Sequence, residues 1–156
     1  MREIETKAKM KINGLLLPQH LITLVSQGLW KRPSNTDALQ KLTGCKSCHE
    51  FDFLSFESMK RESNPTHLIE DDKLANIYWL RSSLRMGKEI TDTRFLDIDK
   101  AIIIALNWDE EAICLDYRSS MDKPRVVASC IDNDRIGQWK VIASDIETFT
   151  KAIGLD

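Results

Sequence analysis

Hydrophobic patterning is densest in the last third of the chain, where apolar runs alternate with short polar breaks. From Ala101 to Leu106 both alternating sets of positions are apolar, which predicts a central strand covered on both faces. Beyond the acidic turn Trp108, Asp109, Glu110 and Glu111, the positions Ile113, Leu115 and Tyr117 alternate with small residues and Asp116. That alternation predicts a second strand with one apolar face. Arg125 to Cys130 and Gln138 to Ala143 give two more, separated from the first pair by the break at Asp122, Lys123 and Pro124. β-Branched content and turn-forming breaks together predict an antiparallel meander. Ser144 with Glu147 three residues on has the spacing of a capping box, and Ile146, Phe149 and Ile153 stripe one side of a closing helix.

Upstream the period changes to that of helices. Leu17 and Pro18 open one with Leu21, Leu24 and Val25 on a shared face, and Gly28 stops it. Ser34 with Asp37 marks a short helix through Leu42 that ends at Gly44, and Ser55 to Glu62 marks another, halted by Asn64 and Pro65. Glu70, Asp71 and Asp72 suit the positive end of a helix dipole and predict a helix from Lys73 to Met86, ended by Gly87. Phe51, Phe53, Leu54 and Phe56 form an aromatic patch predicted to enter the core. The charged, weakly patterned start predicts a loosely held end over residues 1–14. Helices, then sheet, then helix is an α+β order: a central antiparallel sheet flanked by helices, in a single domain spanning residues 1–156.

Composition narrows the class. At 156 residues, 42% hydrophobic and 29% charged, the chain is an ordinary globular domain able to bury roughly two thirds of its unfolded surface. No apolar run approaches the roughly 18 residues of a membrane-spanning helix. The apolar stretch Leu15 to Leu17 is cut at once by Pro18, too short for a secretory core, so the expected location is cytoplasmic and the four cysteines are expected as reduced thiols. The net charge of −2 divides unevenly, with residues 1–50 positive and residues 51–156 negative. Basic residues form no stripe of the kind that tracks nucleic acid, and the negative half suits a basic protein partner or solubility alone.

Candidate chemistry is sparse. Cys45, Cys48 and His49 have the spacing of a c-type haem attachment site, but that chemistry needs export. As zinc ligands they supply three of the four a structural site takes, with Cys114 or Cys130 as the fourth. The simpler reading is a surface turn, with no metal and no cofactor. His20, His49 and His67 are too scattered for a legible catalytic triad, and no phosphate or dinucleotide loop is present. Adjacent carboxylates at Asp109, Glu110 and Glu111 sit in a turn, which is expected to place them in solvent, where their pKa values stay ordinary and general acid catalysis gets no help. Trp30, Trp79, Trp108 and Trp139 read first as core anchors, with Trp108, beside the carboxylates, as the one candidate for an interface hot spot.

Several of these stretches resemble the SUKH superfamily, whose members include fungal cell-wall assembly regulators and bacterial immunity proteins that neutralise polymorphic toxins. The resemblance rests on Leu115, Asp116 and Arg118 as a strand ending in Leu-Asp-x-Arg, on Pro124 to Val127, on Trp139 before a strand, and on Phe149 in the closing helix. Leu17-Pro18 at a helix start and Trp30 to Pro33 fit it upstream. It implies an α+β fold that binds a protein partner and has no catalytic residues. On that reading the partner-binding residues are Trp108, Asp109, Glu110, Glu111, Asp132 and Asp134, meeting the basic surface of a toxin in a toxin–antitoxin pair. An intracellular scaffold without a toxin partner, or a Cys/His metal-binding protein, are the alternatives.

Overall fold

The structure, a computed structural model, describes residues 9–45, 47–64, 96, 98–107, 111–129 and 139–155. The predicted helix from Lys73 to Met86 lies outside them. The described elements are a two-stranded hairpin of β1 (Lys11–Ile12) and β2 (Leu15–Leu16), and a five-stranded antiparallel sheet. That sheet contains β3 (Asp52–Phe53), β4 (Ala101–Leu106), β5 (Ala112–Asp116), β6 (Arg125–Ser129) and β7 (Lys140–Ala143), side by side in chain order. Four described α-helices accompany it: α1 (Gln19–Ser26), α2 (Asp37–Thr43), α3 (Phe56–Glu62) and α4 (Ile146–Ala152). The architecture is α+β with the meander in the C-terminal half and a closing helix, as the patterning predicts. None of the described helices is long and apolar enough to cross a membrane.

β4 and β5 are interior strands, and Ala101 to Ala105 and Ala112 to Leu115 are fully buried, so both faces of this part of the sheet are covered. Helix α4 packs on β6 and β7, α1 lies against α4, and α3 lies beside β4. Trp30 joins these layers: its ring lies 4.6 Å from that of Phe53 and 6.3 Å from that of Phe149. Each fully buried Leu, Ile or Phe of this core contributes about 1.5–3 kcal/mol. β4 carries a bulge at Ile104, where the backbone N–H of Ile103 donates to Ser63 Oγ at the end of α3 (2.8 Å) and Leu54 N–H donates to Ile104 O (3.0 Å).

Three local expectations need correction. The loosely held end does not extend over residues 11–14, because Asn13 and Gly14, at φ 57° and 73°, turn the β1–β2 hairpin. Both residues take the left-handed conformation that a two-residue hairpin turn requires. Ile12 and Leu15 are buried beneath it, and Tyr117 Oη donates to Leu16 O (2.8 Å). Asn35, not Ser34, serves the start of α2, accepting from Asp37 N–H (2.9 Å). The last helix is capped by Asp145, whose carboxylate accepts from Thr148 N–H (2.8 Å), one residue beyond the predicted Ser144.

Candidate functional site

Strand register divides the sheet into two ends of different chemistry. Leu106 pairs with Ala112, Ala112 with Ser129, Ala128 with Lys140, and Asp52 with Leu106. The β4–β5 and β6–β7 connections therefore leave the sheet at the same end, where the segment before β3 also arrives. The sequence-predicted acidic residues belong to those two connections. Of them only Glu111 falls within the described residues; Trp108, Asp109, Glu110, Asp132 and Asp134 lie outside.

Glu111 is not in solvent. It is 2% exposed, and its backbone and side chain are both engaged by Asn107. Asn107 Oδ1 accepts from Glu111 N–H (3.0 Å), Asn107 Nδ2 donates to Glu111 Oε1 (2.8 Å), and Asn107 N–H donates to Glu111 O (3.1 Å). The expectation of a solvated, partner-facing carboxylate is corrected at this position, because a strand-end asparagine closes the connection by binding it. Asn107 Nδ2 also reaches Ser47 O (3.4 Å), tying the connection to the cysteine turn.

That turn is not at the surface either. Cys45 and Cys48 are both buried. Cys45 is disulfide-bonded, whereas Cys48 and Cys114 are free thiols. The expectation of four reduced thiols therefore fails at Cys45, and the disulfide withdraws Cys45 from any zinc set, since a metal ligand must be a thiolate. Among the described residues no group of three His, Cys, Asp or Glu is placed to hold a metal. Thr43 organises the turn: its hydroxyl donates to Leu39 O (2.8 Å), accepts from Cys45 N–H (3.0 Å) and meets Cys48 Sγ (3.4 Å). Cys48 Sγ in turn donates to Cys45 O (3.1 Å). Burial pushes the Cys48 thiol up, the Thr43 hydroxyl opposes this, and the nearby Glu111 charge adds to the rise.

The opposite end of the sheet carries Asp116 and Arg118 of the predicted structural motif. Asp116 is fully buried and lies directly across from Arg125 in the β5–β6 register. Its Oδ1 accepts from the backbone and Nε of Arg118 (3.0 Å each), and its Oδ2 accepts from Arg118 Nη2 (3.0 Å) and Arg125 Nη2 (2.8 Å). Burial alone raises this carboxyl. The hydrogen bonds and charge of Arg118, joined by Arg125, outweigh it and hold the group below its ordinary range. Leu115, Trp139 and Phe149, the other motif positions, are buried core residues. The pairing of Arg125 with Asp116 follows from strand register and is not legible in the local spacing.

A recess of about 300 Å³ opens at this second end, lined by Pro18, His20, Lys123, Pro124, Asp145 and Glu147 among others. Its polar groups hold the fold together. Lys123 Nζ is 3.5 Å from the capping carboxylate of Asp145, and His20 Nε2 is 3.0 Å from Thr150 Oγ1, joining α1 to α4. No family model, no curated protein and no solved structure matches the chain.

Proposed function

We propose that the protein is a non-catalytic binding module, an immunity-type protein that neutralises a toxin through the end of the sheet from which its acidic connections leave. One observation carries this reading: strand register brings the anchor points of both acidic connections, Leu106 and Ala112 for the first and Ser129 and Lys140 for the second, to one end of the sheet. Two acidic segments far apart in sequence thereby share one platform. The resemblance to the SUKH superfamily in Leu115, Asp116, Arg118, Trp139 and Phe149 supports the same class. Asp109, Glu110, Asp132 and Asp134 are the contacting residues in this reading. Glu111 is removed from that set, because its carboxylate is held inside by Asn107. The partner is a basic protein surface, and electrostatic steering makes its association salt-sensitive.

The test is capture from lysate of the source organism at low and high salt, with wild type and the charge-reversed chain (Asp109→Lys, Glu110→Lys, Asp132→Lys, Asp134→Lys) in parallel. The expected result is a basic protein retained by wild type at low salt, lost from the variant, and toxic to cells unless the wild-type chain is co-expressed. Equal retention by both chains removes the acidic connections from the interface. A captured protein without toxicity replaces the immunity reading with that of a scaffold.

A further inference from the structure

We draw no further inference here: the strongest candidate, the recess of about 300 Å³ between the start of α1, the β5–β6 connection and the start of α4, is lined by the exposed carboxylates of Asp122 and Glu147 and by Lys123, Asp145 and His20, which already hold these elements together, and nothing in the structure shows what covers it.

Discussion

Asp116 is a charged side chain whose role, read as structural in the sequence motif, is set in three dimensions by Arg118 and Arg125. A buried carboxylate facing two guanidinium groups is expensive to desolvate but far more expensive to leave half-made. Asp116→Ala leaves Arg118 and Arg125 without their shared partner and is expected to cost about 3–5 kcal/mol, measured by urea denaturation. The pH dependence follows from the lowered carboxyl. A group whose folded-state pKa lies below its unfolded value of about 3.9 stabilises the fold above that value, and the contribution is lost as pH falls through the folded pKa. Wild type should therefore lose stability below about pH 4 with a component that Asp116→Asn lacks. Identical acid limbs in the two proteins would show that Asp116 is not the group responsible. Glu111 behaves differently, because its neutral amide analogue keeps an acceptor for Asn107 Nδ2. Glu111→Gln is expected to lower stability by no more than about 1 kcal/mol while shifting the Cys48 thiol titration downward, since the charge that raises it is gone.

At the scale of elements, the strands of the meander were legible because their apolar runs are long and both faces of β4 are apolar, a pattern that holds in any register. Short elements were less so. Ile12-Asn13-Gly14-Leu15 contains the strongest short hairpin signal there is, two left-handed residues between apolar ones, yet the surrounding lysines disguise it as a frayed end. Open space surrounds the position a Gly14 side chain would take, so Gly14→Ala is expected to lose about 1–2 kcal/mol through backbone strain alone, read as a shifted denaturation midpoint. The cap of α4 slipped by one residue because Ser144 and Asp145 are both good caps and only backbone direction chooses between them. Asp145→Ala should cost about 1 kcal/mol and Ser144→Ala less than about 0.5, which a pair of thermal melts distinguishes. The cysteine turn and Glu111 were misplaced for another reason: burial there comes from Thr43 and Asn107, which contribute through contacts that no local spacing encodes.

Across the whole molecule the acidic residues divide between the two ends of the sheet. At one end Asp116 and Asp145 are consumed internally, by two arginines and by a helix cap with Lys123. At the other, the sheet anchors two connections that carry Asp109, Glu110, Asp132 and Asp134, and Glu111, the one nominated acidic residue among those described, is buried. Sequence reasoning set Asp116 apart as structural and placed Glu111 with the solvated turn carboxylates. It missed the cap at Asp145 and the burial of Glu111, which depends on Asn107 at the strand end. The proposed interface predicts that stability and association separate by residue. Asp109→Lys with Glu110→Lys should leave the thermal midpoint near that of wild type and slow association with the proposed basic partner. The slowing should fade as added salt shortens the Debye length below about 8 Å. Glu111→Lys should do the reverse in the assay of stability, lowering the midpoint because a lysine cannot accept from Asn107 Nδ2. If all three changes lower the midpoint together, the carboxylates at 109 and 110 are structural like Glu111, and the surface that meets a partner must be sought at the other end of the sheet.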